Sequence, residues 1–176
     1  IHSFLDNLGI RVEPSARHLV DRMIAIARSK LPTPEAVTET ENAFRVLCEN
    51  YEKWKEGVAF GDAIQDLRDH PCFPASKDEG LWHLPQGLYT SRDAEAFKSQ
   101  VSVINFTPYW LNKALLKTRG IVTNPETDII IAHLRDCMER DEDPHVITYN
   151  ALNDHAKRDA KSVQRLKGAK CIYLEE

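Results

Sequence analysis

Apolar residues along this chain recur at helical spacing in several stretches, with short strand-like segments in the middle. After Pro14, Leu19, Val20, Met23, Ile24 and Ala27 fall on one face, which predicts a helix to about Ser29. Thr33-Pro34 pairs an N-cap residue with a first-turn proline, and the helix it opens is expected to reach about Lys55. Val37, Phe44, Leu47, Tyr51 and Trp54 form its stripe. A further helix is expected over Phe60 to Asp69, with Ala63, Ile64 and Leu67 facing inward.

The pattern then changes period. Pro71-Cys72-Phe73-Pro74 is too proline-bound for a helix and predicts a short strand, with Leu81-Trp82-His83-Leu84 as its hairpin partner. Pro85-Gln86-Gly87 predicts a turn before Leu88-Tyr89-Thr90. A short helix over Ala94 to Lys98, a β-branched run from Val101 to Phe106 and a helix over Tyr109 to Lys117 follow. Asn124-Pro125 is expected to cap a helix bearing Ile130, Ile131, Leu134, Cys137 and Met138, and Asp143-Pro144 to cap another. The fold class expected is α+β, mainly α-helical with short β-hairpin segments.

The punctuation repeats. Leu5, Gly9, Ile10 and Pro14 recur at the same internal spacing as Leu116, Gly120, Ile121 and Pro125. Glycine suits the left-handed position after a helix, and proline suits the first turn of the next. Asn150-Ala151-Leu152 answers Asn42-Ala43-Phe44, and Leu166 with Cys171-Ile172 answers Leu67 with Cys72-Phe73. The expectation is two related modules, residues 1–108 and a truncated copy over 109–176. The period, roughly a hundred residues, exceeds the 20–50 of solenoid repeats.

Composition adds bounds rather than an activity. With 176 residues, 42% hydrophobic, 28% charged and a net charge of -4, the chain has the balance of a globular protein and no dominant cationic surface. Cys48, Cys72, Cys137 and Cys171 show no paired spacing and read as reduced, buried thiols of an intracellular protein, cytoplasmic or nuclear. No apolar run is long enough to cross a bilayer. The first residue is not methionine and the chain ends as a strand is due, so a piece of a longer polypeptide is expected.

Four constellations could carry chemistry. His133 and Cys137 stand one helical turn apart, a legitimate spacing for two metal ligands, but no second pair stands nearby and a half-buried helix face is the simpler reading. His70-Pro71-Cys72 could present an activated thiolate, yet its counterpart Cys171 lacks a histidine, and an inert buried thiol is favoured. Asp66, Asp69, Asp78 and Glu79 lie among Arg68 and Lys77 as solvated charge. A basic helix carrying Lys157, Arg158, Lys161 and Arg165 is the candidate nucleic-acid contact; Asp154 and Asp159 interrupt it and no aromatic ring interleaves. Trp54, Trp82 and Trp110 read as core aromatics with a polar handle. No glycine-rich phosphate loop is present, so no catalytic, cofactor or metal residue is assigned.

Leu8-Gly9-Ile10-Arg11 with Pro14-Ser15, two helices, then Pro71-Cys72-Phe73-Pro74-Ala75-Ser76 and Leu81-Trp82-His83-Leu84-Pro85 resembles the repeats downstream of the ATPase domain in sacsin-like and NO VEIN-like proteins. The resemblance implies a non-catalytic middle segment of a large chaperone-like ATPase, acting as a scaffold for neighbouring domains of a longer chain or for a client protein. The ATPase motifs of that family do not carry over. Asp78-Glu79-Gly80 matches only the start of an Asp-x-Gly-x-Gly motif, with Trp82 at its second glycine. The competing expectation is a segment of a bacterial defence or restriction protein that touches nucleic acid through the basic helix.

Overall fold

The computed structural model describes residues 14–76, 80–90, 94–97, 99–106, 111–122, 124–158, 161 and 164. The chain is mainly helical α+β, with helices on either side of short strands.

Helix α1 (Ala16–Ser29) is opened by Ser15, whose hydroxyl accepts from the His18 N–H. Its stripe of Leu19, Val20, Met23 and Ile24 is buried against helix α2 (Pro34–Glu49) and helix α4 (Val58–Asp69). Thr33 caps α2 as expected, its hydroxyl accepting from the Ala36 N–H. The expected single helix to Lys55 is broken, however. Asn50 leaves helical geometry (φ -101, ψ 10), its amide nitrogen donates to the Val46 carbonyl at 3.0 Å, and a separate turn α3 (Tyr51–Trp54) follows. Asparagine competes with the helix by bonding its own backbone locally, which explains the break. Phe44 and Leu47 are fully buried, while Val37, Tyr51 and Trp54 only lean on the core.

Strand β1 (Phe73–Pro74) pairs antiparallel with β2 (Trp82–His83), Phe73 opposite His83 and Pro74 opposite Trp82. Gly87, at φ +80, turns the chain into β3 (Leu88–Tyr89), which the Leu88 N–H ties back to the Pro85 carbonyl at 3.2 Å. The expected short helix is a 3-10 helix over Ala94–Phe97, and β4 (Ser102–Val103) then runs parallel to β3. Ala75 and Ile104 form an isolated antiparallel bridge between the two two-stranded sheets, β1–β2 and β3–β4.

Helix α5 (Lys113–Thr118) starts later than the expected Tyr109 because Asn112 caps it, its side-chain oxygen accepting from the Ala114 and Leu115 N–H groups at 3.0 and 3.2 Å. Helix α6 (Thr127–Arg140) begins after Glu126 rather than at Asn124-Pro125, and Glu126 gives no side-chain cap. Helices α1 and α6 have 14 residues each, and each starts two residues after the proline of its Leu–Gly–Ile–Pro stretch. Asp141, left-handed at φ 55, closes α6. Helix α7 (Val146–Arg158) starts after Asp143-Pro144, and the His145 ring nitrogen Nδ1 accepts from the Ile147 N–H at 3.2 Å in place of the expected aspartate. Residues 5–13, Trp110, Leu166, Cys171 and Ile172, on which other parts of the repeat rest, lie outside the described residues.

Two apolar clusters form the core. The larger joins α1, α2, α4 and β1, with Phe44 edge-on to Phe73 at 5.3 Å and 5.8 Å from Phe106. Leu115, Leu116 and Ile121 belong to it. The smaller joins Tyr89, Phe97, Val101 and Val103 to Ile130 and Leu134 of α6. Both clusters therefore draw side chains from either side of residue 108.

Candidate functional site

The connection between α5 and α6 is tied to the preceding strands by its backbone. Gly120 has φ +75, a conformation that favours glycine, and it ends α5 against the Gln86 side chain. Val122 then forms an isolated parallel bridge beside β3. The Val122 N–H donates to the Leu88 carbonyl at 2.8 Å, the Thr90 N–H to the Val122 carbonyl at 2.9 Å, and Tyr89 faces Val122 in parallel register. Leu116 and Ile121, on either side of the glycine, are 1% and 4% exposed inside the larger cluster.

The end of α4 receives three side chains at the same joint. The Arg119 guanidinium donates to the Ile64 carbonyl, the Gln86 amide to the Arg68 carbonyl at 3.1 Å, and His70 Nδ1 to the Asp66 carbonyl at 2.8 Å. Asp66 and Arg68 lie in the last turn of α4, whose carbonyls lack helical N–H partners, and the Ile64 carbonyl lies one turn earlier. Half-burial and the nearby Arg68 charge pull the Arg119 pKa down from its ordinary value. Neither Arg119 nor Gln86 stood out in sequence; an arginine beside a helix-ending glycine was the only signal.

The histidine–cysteine constellations are knitted into the core. His70 also accepts at Nε2 from the Arg28 guanidinium at 2.8 Å, so both ring nitrogens are occupied by structural partners. Cys72 is fully buried, and burial pushes its thiol up to about 12. Burial likewise pushes Cys48 up to about 11. These thiols are held far from thiolate chemistry. His133 and Cys137 do meet, Nε2 to Sγ at 3.5 Å, while His133 Nδ1 lies 3.3 Å from the Ser99 hydroxyl and the ring stands edge-on to Phe97 at 5.2 Å. Burial lowers the His133 pKa and raises that of Cys137. Among the described residues, no group of three or more histidine, cysteine or acidic side chains is placed to hold a metal ion.

Two of the basic candidates, Lys157 and Arg158, lie in the last turn of α7. Lys157 pairs with Asp154 at 3.5 Å on an exposed face of α7, where such a pair contributes little. Arg158 ends the helix and lines a recess of about 170 Å³ together with Asp154, His155 and Asn150. His155 is engaged at both nitrogens, by the Thr127 hydroxyl at 2.9 Å and the Pro125 carbonyl at 3.0 Å. Lys161 sits on a turn after α7, not on the expected continuous basic helix, and Arg165 lies outside the described residues. Asp78, Glu79 and Lys77 also lie outside them.

A larger groove, about 570 Å³, opens between the end of α4 and β2. Trp82, expected in the core, is half-buried at its wall, with the indole N–H donating to the Lys30 carbonyl at 2.7 Å. No helix among the described residues is long and apolar enough to cross a membrane. No family model, curated protein or solved structure matches this chain.

Proposed function

We propose that this chain is a non-catalytic segment of a large chaperone-like ATPase, in which duplicated helix–hairpin modules act as a scaffold for neighbouring domains or a client protein. The observation that supports it best is the joint after Gly120. Leu116, Ile121 and Val122 are built into the sheet and core of the preceding residues, so a displacement on one side is passed to the other through packed side chains and backbone hydrogen bonds. The buried state of Cys72 and the structural bonds of His70 fit the same reading, because the residue pair most suggestive of catalysis is committed to packing. The family resemblance of the proline–cysteine strand and its hairpin supplies the ATPase context.

Calorimetric titration of this chain with ATP and magnesium tests the assignment. Heat changes at the level of dilution are expected up to millimolar nucleotide, since the nucleotide site of such a protein belongs to another domain. Saturable binding with micromolar affinity would overturn it.

A further inference from the structure

We propose that residues 5–14 are a strand donor, which closes on another module of this kind, joined ahead of this one, the edge that residues 120–122 close here. This rests on the reading of the chain as duplicated modules and names how one module is fastened to the next.

The joint itself is on view in this chain. The Val122 N–H donates to the Leu88 carbonyl at 2.8 Å and the Thr90 N–H to the Val122 carbonyl at 2.9 Å. Gly120, at φ +75, allows the reversal into that pairing, and Leu116 and Ile121 fill the larger cluster on either side of it. The residues that make this joint occur twice. Leu5, Gly9, Ile10 and Pro14 stand in the register of Leu116, Gly120, Ile121 and Pro125, and the register continues through the helix that follows. Leu19, Val20, Met23 and Ile26 are buried in α1, and their counterparts Ile130, Ile131, Leu134 and Cys137 are buried in α6. The departure is Arg135, exposed where α1 has the buried Ile24.

In this chain the β3 edge is already taken by Val122, so the first stretch needs a second edge of the same kind. The chemistry of the joint identifies that partner. It offers a carbonyl and an N–H two residues apart on an extended backbone, as Leu88 and Thr90 do, beside an apolar recess for Leu5 and Ile10. Arg11 stands in the place of Val122, whose part in the pairing is played by its backbone. Leu8 stands where Arg119 reaches the Ile64 carbonyl, so the recipient presents apolar surface at that point. Repeated along a longer chain, such joints make a row in which each module holds its neighbour.

Two full-length variants separate a recipient outside this chain from one within it. Ile121→Asp should lower the urea midpoint sharply, because it places a charge in the larger cluster. Ile10→Asp should leave the midpoint unchanged, since the edge that receives Ile10 belongs to another module. Equal losses would place the first stretch in this chain's own core and overturn the proposal. Grafting tests the capacity to donate: residues 116–125 are replaced by the sequence of residues 5–14, and exchange of the Thr90 amide is followed by NMR. The expected result is protection at Thr90 that is kept in the graft and lost when the grafted isoleucine is changed to aspartate. A second graft retains Arg119, so that loss of its bond to the Ile64 carbonyl is not mistaken for loss of the strand. Thr90 exchanging as an unpaired amide in both grafts, or protection indifferent to the aspartate, overturns the proposal. Such a failure without ATP binding removes the donor role alone; saturable ATP binding removes the scaffold reading itself.

Discussion

If the joint after Gly120 couples the chain mechanically, truncating Leu116 should weaken the whole structure rather than loosen one end. Leu116 is 1% exposed and packs in the cluster that also holds α1, α2 and α4. Leu116→Ala removes three carbon atoms, a transfer loss of roughly 2.4 kcal/mol at about 0.8 kcal/mol each. The cavity left among neighbours that relax only partly raises the cost to about 3–4 kcal/mol. For a domain of this size that is about 6–16 °C in the thermal midpoint, taking about 2–4 °C per kcal/mol. The assay is urea unfolding followed by two probes, far-ultraviolet circular dichroism for all the helices and Trp82 or Trp54 fluorescence for the first half. The two curves should stay coincident and shift together. A loss below about 1 kcal/mol, or a transition that splits so that the fluorescence curve stays at its original midpoint, would refute the coupling argument. Met138→Ala is the control: its side chain is 39% exposed, and a change within about 0.5 kcal/mol is expected.

Three further outcomes follow from the same geometry. Gly120→Ala should cost about 1–2 kcal/mol in chemical denaturation, from the left-handed backbone alone, since an added Cβ meets Gln86 only at an ordinary 3.5 Å; a neutral result would show that the turn relaxes freely. Cys72 should resist iodoacetamide in the native chain at pH 8 and react on unfolding in urea, as peptide mapping by mass spectrometry would record, and rapid native labelling would contradict the buried, raised thiol. His133 has a lowered pKa in the folded chain, so the unfolded chain binds more protons once pH falls to the ordinary histidine value near 6.5. Its contribution is complete above that value and is lost as pH drops through it towards the folded pKa. The urea midpoint should therefore fall between pH 7 and pH 5 more steeply in the native chain than in His133→Gln; identical slopes would contradict the shift.

The helices were legible wherever a cap and a stripe coincided. Ser15 with Leu19, Val20 and Met23, and Thr33-Pro34 with Phe44 and Leu47, placed α1 and the start of α2 because local and global preferences agree there. Periodicity failed at Asn50, where the apolar spacing continues through Tyr51 and Trp54 while a side-chain-to-backbone bond ends the helix. The caps at Asn124 and Asp143 were misplaced for a related reason: a polar residue before a proline signals that a helix is near, and tertiary packing chooses the first turn within a few residues. The hairpin pairing of Phe73–Pro74 with Trp82–His83 was readable from the proline bounds, but the joining of β1 to β4 through Ala75 and Ile104 was not. That pairing brings together residues far apart in sequence, and neither strand is long enough to announce its partner. The same limit hid Arg119 and Gln86, whose role depends on the carbonyls of a distant helix end.

The closing of the β3 edge by Val122 gives the Gly–Ile stretch a physical meaning that repetition alone does not. A strand edge left open is costly to specificity, because any extended chain can pair with it. At the β3 edge the chain supplies its own partner. Gly120 allows the reversal after α5, Ile121 fixes the strand by burying its side chain in the larger cluster, and Val122 completes the ladder with Leu88 and Thr90. Register is thus set by one buried isoleucine and one left-handed glycine, a stronger constraint than the two backbone bonds themselves, since a slip by one residue would turn Ile121 out of the core. At the β2 edge no comparable anchor appears among the described residues, and exposed leucines flank the strand instead. The β3 edge is thus fastened from within the chain by the packing of Ile121, with the ladder bonds secondary to it.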